Sequence, residues 1–365
     1  MGKVIGIKAA TGRINLLLIE EIINKLLLKA GEELMEHNSK LTASEIAVLW
    51  NAYMQNTMSG CIVNHFQKVN EDKLMDPVLK NGLGSISFIV EGVRQIFSTD
   101  NIPIPDGFTE DDYHSDAPRI YSDLFALRYM KYMAAMGTAN CAVSLELSAR
   151  ADTRQFFTKA LELLVTLFNQ ASELLLQKGA YIRSPIIPIP EKTEYVKEES
   201  FLSGIWGRHR PVTSIELAHI SKSLETNSMG RTFILGFAQV ARSSEVKNFM
   251  ARGKEIAEKH EGVFREVLLN DDIPLPSTWD STISPSTKPP FSDKLMMFHV
   301  SVLNATSIAN YGASIAGSLR RDLGVTYNRL MTEVLNYADD GAKIMIKNHW
   351  LEQPPQAPDR VALRS

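Results

Sequence analysis

The 365-residue sequence has little of several features that would point directly to a function. Two cysteines, Cys61 and Cys141, are too few for a disulfide framework, so a reducing compartment, the cytoplasm, is the expected location. No apolar run reaches the ~18 residues that a spanning helix needs, which predicts no membrane span. The formal net charge of −3 gives no electrostatic reason to expect nucleic acid as a partner.

The usual motifs of nucleotide-dependent and nucleophilic enzymes are also missing from the sequence. It has neither the alternating pattern typical of strands nor a glycine-rich phosphate loop. Both cysteines fall within apolar stretches, where a thiol is inert, and no Cys/His/Asp arrangement stands out. The sequence therefore predicts an all-α protein, without catalytic or cofactor-binding residues that can be named.

What the chain does contain is an internal repeat. The phrase "DNIPIPDGF", which begins at Asp100, recurs 171 positions later as "DDIPLPSTW". The same shift aligns 41–105 with 212–276 without a gap, and a shift of 170 aligns the later parts. Repeated polar pairs include Thr42/Thr213, Glu45/Glu216, Asn56/Asn227, Asn140/Asn310, Arg150/Arg320 and Asp152/Asp322. We infer a tandem duplication, with unit 1 at 35–190, a connector at 191–211 and unit 2 at 212–365.

Each unit contains sequence signals for the beginnings and ends of four helices. "TASE" and "TSIE" carry the Thr-x-x-Glu capping-box pattern at the start of the first helix. The Ile-Pro-x-Pro phrase ends the second helix, because alternating prolines cannot continue it. After a loop of roughly fifteen residues, Ser122 and Ser292 are expected N-caps of the third helix, and Asp152 and Asp322 caps of the fourth. Short, long and short connections predict two tandem ferritin-like four-helix bundles.

Residues 1–34 are a separate case. Met35 begins a plausible protein start, and the codons for the upstream "KAGEEL" can contain a purine-rich tract. One hypothesis is therefore that residues 1–34 are an upstream extension and that translation starts at Met35. The alternative is a genuine amphipathic segment around Ile14–Leu28 that docks on the body. The intact mass of the natively expressed protein distinguishes the two.

Several stretches resemble a known family. They include "KLTASEIAVLWNAYM", "IPIPDGFTEDD", "SFLSGIWGRHRP", "TNSMGRTFILGFAQVARSSEV" and "NHWLEQPPQAPDR". From about Met35 onward the chain resembles the domain-of-unknown-function family 3231 of Bacillus-type spore formers. The resemblance implies ferritin-like four-helix bundles, often in two copies, distantly similar to bundles of the spore coat protein F type. It implies no biochemical activity.

A ferritin-like fold raises the question of a metal site. Unit 2 contains one Glu-x-x-His motif, Glu216 and His219, on its first helix. His260 on the second helix and His299 on the third could complete a set for iron or zinc. Unit 1 cannot reproduce this set, because it has Val48, Ile89 and Tyr129 at the aligned histidine positions. The alternative, which we favour, is that these residues are hydrogen-bonded helix histidines and a capping-box glutamate.

The recurring asparagines have a simpler interpretation. Asn56/Asn227 and Asn140/Asn310 lie inside otherwise apolar helices, so we expect buried amides that fix helix register.

Two functions remain open from the sequence. The leading hypothesis is a structural or interaction protein of a spore-forming bacterium, associated with the spore, with a protein partner or a second copy as its target. The alternative is a metal-binding ferritin-like protein with its site in unit 2.

Overall fold

The computed structural model describes residues 40–204, 209–275, 283–360 and residue 364. These residues form eight long helices. In unit 1 they are α1 (Ala43–Val69), α2 (Asp76–Thr99), α3 (Asp123–Glu146) and α4 (Ala151–Gln177). In unit 2 they are α5 (Ser214–Val240), α6 (Ser244–Asn270), α7 (Asp293–Gly317) and α8 (Arg321–Lys347). The all-α prediction and the duplicated helical unit are confirmed. The hypotheses about residues 1–34 lie outside the described residues.

The predicted helix starts are confirmed in both units. Thr42 and Thr213 each cap a first helix with a complete capping box, and Ser122 and Ser292 each cap a third helix. α1 pairs with α2 and α3 with α4, and unit 2 repeats this arrangement. The connections are short, long and short, as in bundles with one long crossover. The ferritin-like classification itself stays a prediction.

The repeated Ile-Pro-x-Pro phrase follows the same helix ending in both units. The residue after the last helical turn has a left-handed backbone, with φ of 55° at Asn101 and 54° at Asp272. The next amide, at Ile102 or Ile273, donates to the carbonyl of Phe97 or Leu268, at 2.9 Å in each case. This six-to-one hydrogen bond is that of a Schellman ending.

One prediction about caps was wrong. Asp152 and Asp322 are not the caps of the fourth helices, because the N-cap positions belong to Arg150 and Arg320. The aspartates lie inside the first turn and hold these arginines, with Nη2–Oδ2 distances of 2.5 Å for Arg150–Asp152 and 2.7 Å for Arg320–Asp322. The Arg-x-Asp pattern therefore marks ion pairs that fix the turn into the last helix.

These ion pairs belong to a polar cluster at the same end of each bundle. We call it the bundle-end cluster; it comprises Thr42, Glu45, Asp100, Arg150 and Asp152 in unit 1, and Thr213, Glu216, Asp271, Arg320 and Asp322 in unit 2. Glu45 accepts the backbone N–H of Arg150 at 2.7 Å, and Glu216 accepts that of Arg320 at 2.9 Å. Each cluster links the beginning of the first helix, the end of the second and the beginning of the fourth.

The two units are joined through their long crossovers. The backbone N–H of His114 donates to Pro290 O at 2.8 Å, and that of Ser284 donates to Ile120 O at 2.7 Å. Under the 170-residue shift, His114 corresponds to Ser284 and Ile120 to Pro290, so the two hydrogen bonds are equivalent. The same exchange relates the two isolated β-bridges, Tyr113↔Phe291 and Tyr121↔Ile283. Each contact and its reciprocal are present, as across the twofold interface of a homodimer.

Aromatic packing repeats the same symmetry. Phe66 meets the edge of Tyr121 with ring centroids 6.3 Å apart, and its equivalent Phe237 meets Phe291 at 6.2 Å. Tyr129 and His299 occupy equivalent positions and touch each other, with Tyr129 Oη 3.3 Å from His299 Nε2. The buried apolar core that surrounds them is continuous across both units. The duplicated bundles therefore form a pseudo-dimer within one chain.

Candidate functional site

The four predicted metal ligands have different partners. Glu216 belongs to the bundle-end cluster, where it accepts two hydrogen bonds from Arg210, at 2.7 and 2.9 Å. His219 packs so closely against α7 that a Cβ added to Gly317 would lie 2.2 Å from its Nε2. His299 lies at the joint between the units. Across the described residues, no group of three or more His, Cys, Asp or Glu side chains is placed to hold a metal ion.

His260 has a structural environment within unit 2. Its Nδ1 lies 3.0 Å from the hydroxyl of Tyr311, and its Nε2 lies 3.1 Å from Glu333 Oε2. The amide of Asn227 donates to the same tyrosine hydroxyl at 2.8 Å. Burial lowers the pKa of His260, and the contact with Glu333 opposes this shift only in part. These hydrogen bonds join Asn227, His260, Tyr311 and Glu333 and so connect all four helices of unit 2.

Metal binding stays a prediction that elemental analysis can test. Protein purified without chelator is expected to carry far less than one iron or zinc per chain, because the described residues place no three such ligands together. The content should be the same in His219→Ala as in the wild type. One metal per chain that disappears in His219→Ala would favour the alternative that the sequence left open.

The bundle-end cluster makes unit 2 sensitive to acid. Burial raises the pKa of Glu216, but the Arg210 side chain and the backbone amides of Thr213 and Arg320 outweigh this and lower it to about 2 from 4.5. The fold therefore favours the charged carboxylate. Its stabilisation is complete above pH 4.5 and is lost as the pH falls towards about 2.

We expect the free energy of unfolding to fall with pH across this window. Glu216→Gln should flatten the fall, because a glutamine does not titrate. Urea unfolding at steps between pH 5 and pH 2 measures the difference between the two slopes. Identical slopes for the wild type and the variant would show that Glu216 is not responsible.

The interior of unit 1 differs from that of unit 2. Between α1 and α3 lies an open groove with a cavity of about 490 Å³. Its floor includes Phe157, Ala160 and Leu164 of α4, and α7 of unit 2 closes its inner end with His299 and neighbouring residues. We call this the unit 1 groove. In unit 2 the equivalent first and third helices, α5 and α7, pack more closely against each other.

The repeat alignment explains why the described residues leave this groove in unit 1, while the equivalent helices of unit 2 pack together. Tyr311, which is 1% exposed and bonded to two neighbours, corresponds to Cys141 in unit 1. Leu330, also fully buried, corresponds to Ala160. Both small residues line the groove. Unit 1 therefore lacks the side-chain volume that fills the equivalent space in unit 2.

The thiols and asparagines follow the sequence predictions only in part. Cys61 and Cys141 are buried, and burial raises their pKa to about 12 and about 11, so both thiols are protonated at neutral pH. Asn227 is buried as expected. Asn140, however, is exposed at the groove mouth, where its amide donates to Gln55 at 3.1 Å. This asparagine bridges α1 and α3 across the opening and does not fix register in a core.

The family model for proteins of unknown function numbered DUF3231 matches residues 29–193 and again residues 200–363. The chain belongs to the DUF3231 family. The two matches follow the two structural units, so the duplication is also seen at the level of the family. The resemblance found in the sequence motifs is thereby confirmed.

The other comparisons give little further information about this DUF3231 protein. No curated protein matches the chain. A solved structure described as a candidate spore coat protein, from Bacillus halodurans C-125, is similar at 17% identity with a TM-score of 0.39. The similarity covers 98% of that protein and 41% of this chain. A likeness of this size carries no argument about function.

Among the described helices, none has the length and apolar character to cross a bilayer.

Proposed function

We propose that this DUF3231 protein has a structural or interaction role and that its two bundles act as one pseudo-symmetric body. The observation that carries the proposal is the location of the repeated polar residues. Glu45/Glu216, Asp100/Asp271 and Arg150/Arg320 form the bundle-end clusters, where each side chain holds helix ends together. The polar residues that both copies share are therefore those that hold the helix ends together in a rigid scaffold. Its target in this proposal is a protein partner or a second copy.

We further propose that the protein is made in the cytoplasm of a spore-forming bacterium and becomes associated with the spore. The motif resemblance to family 3231 supports the association with the spore. The two buried cysteines of this protein, which form no disulfide, support the cytoplasm as the place of synthesis.

Fractionation of a native host tests the proposal directly. A chromosomally tagged copy should be found in purified spores and should sediment with an assembly there. Protein confined to growing cells would contradict the spore association. Protein that is found in spores but stays free in the soluble extract would contradict the structural role.

A further inference from the structure

The unit 1 groove has the dimensions of a small-molecule site. Its cavity of about 490 Å³ lies within the ~300–1,000 Å³ that ligand pockets occupy. The inner end reaches His299, which is only 3% exposed. An occupant that reaches this depth must therefore be inserted between the helices.

The lining defines the chemistry of the occupant. None of the described residues that line the cavity is Asp, Glu, Lys or Arg, and the apolar surface includes Met58, Met133 and Met136. Flexible methionines adapt to ligands of irregular shape. A charged group would have no counter-ion in this cavity and would lose its hydration. The lining thus favours an uncharged and mostly apolar molecule.

One buried polar atom at the inner end is left without a partner. His299 Nε2 faces Tyr129, but no described residue forms a hydrogen bond with His299 Nδ1. Burial lowers the pKa of His299 to about 3, so the ring is neutral at physiological pH. A buried nitrogen without a partner costs free energy that a hydrogen bond with a ligand hydroxyl or carbonyl could recover.

We propose that the unit 1 groove binds an uncharged, mostly apolar small molecule with one hydrogen-bonding group that reaches His299. A long-chain alcohol has the required chemistry. The unit 2 interior, closed by Tyr311 and its hydrogen bonds, does not bind it. This inference goes beyond the structural role proposed above and does not depend on it.

Binding can be measured on the full-length protein with the neutral fluorescent probe N-phenyl-1-naphthylamine and with 1-hexadecanol as competitor. The wild type should bind the probe, and the alcohol should displace it. Hexadecanoate has the same chain length but a negative charge, and it should compete about tenfold less well or worse, because its carboxylate would be buried without a counter-ion.

The repeat itself supplies the matched variant. Cys141→Tyr with Ala160→Leu introduces the residues of unit 2, and Asn56 is in place to bond the new hydroxyl as Asn227 does. Filling the cavity should weaken probe binding by about tenfold or more. The control is Ala309→Tyr, which adds similar bulk at an exposed position of α7 outside the groove and should leave affinity unchanged.

A second variant guards against misfolding of the first. Val143 lines the groove mouth and is 55% exposed, so Val143→Glu should fold normally while placing a charge at the entrance. It should also weaken probe binding. The proposal is overturned if both variants bind like the wild type or if hexadecanoate competes as well as hexadecanol. It is also overturned if the wild type binds no probe, since the groove is then closed in solution by another segment or a second copy.

Discussion

Replacing Arg320 with alanine is expected to lower the free energy of unfolding by about 3–5 kcal/mol, the cost of breaking a buried ion pair from one side. The Arg320 side chain is 2% exposed and lies 3.2 Å from Asp271, which is 4% exposed. It also donates to the carbonyl of Arg210 at 2.9 Å. Without the guanidinium, the Asp271 carboxylate would keep its burial and lose its arginine counter-ion. Urea unfolding at neutral pH measures the loss.

The equivalent residue of unit 1 provides the control. Arg150 forms the same contacts with Asp100 and Asp152, but its side chain is 13% exposed and that of Asp100 is 11% exposed. Water can therefore hydrate the carboxylate that remains, and Arg150→Ala should cost clearly less than Arg320→Ala. A loss below about 1 kcal/mol for Arg320→Ala, typical of a surface ion pair, would contradict the role given to this cluster.

Replacing Phe233 with alanine should cost about 3–5 kcal/mol, as for other fully buried phenylalanines, and should also uncouple the two units. Phe233 belongs to unit 2 but lies among aromatic rings of both units. These rings are Tyr121, Phe125, Tyr129, Phe237 and His299, with centroids 4.4–5.5 Å away. The space left by the missing ring would lie at the joint between the units, so calorimetry should show separate transitions for the two bundles.

Phe264→Ala is the matched control for Phe233→Ala. Phe264 is equally buried, but it packs against Tyr311 and Tyr327 within unit 2, in a core that does not extend into unit 1. Its loss should lower stability by a similar amount and leave the coupling between the units as it is in the wild type. If both variants unfold with the same number of transitions, Phe233 does not couple the bundles.

Local features of the fold were predictable from the sequence because they depend on neighbouring residues. A capping box needs only a threonine and a glutamate three residues later, and Thr42 and Thr213 both have one. The ends of the second helices were predictable from the prolines that follow Ile102 and Ile273. Because the unit is duplicated, each of these sequence signals occurs twice at equivalent positions, which strengthens the prediction.

The cap prediction for Asp152 and Asp322 failed because each aspartate has a second possible partner nearby in the sequence, the arginine two residues before it. An aspartate near a helix start can accept backbone N–H groups as a cap, or it can bind a side chain two residues before it. The arginines at 150 and 320 favour the second arrangement, since a charged pair is stronger than a single cap hydrogen bond.

The candidate site could not be predicted in the same way. Only Glu216 and His219 have the helical spacing of metal ligands. The surroundings of His219, His260 and His299 depend on residues that are distant in sequence, such as Tyr129, Tyr311 and Gly317. The unit 1 groove arises from missing volume, which no motif records. A comparison of repeat positions, Cys141 with Tyr311 and Ala160 with Leu330, would have pointed to it.

Hydrogen exchange at the crossovers tests the pseudo-dimer most directly. His114 and Ser284 lie in long loops, where amides normally exchange freely, but each donates across the joint to the other unit. We predict that both amides are protected, and to a similar degree, because the symmetry makes their hydrogen bonds equivalent. Rapid exchange of both amides, while the amides of the eight helices stay protected, would show that the two bundles are not joined as described.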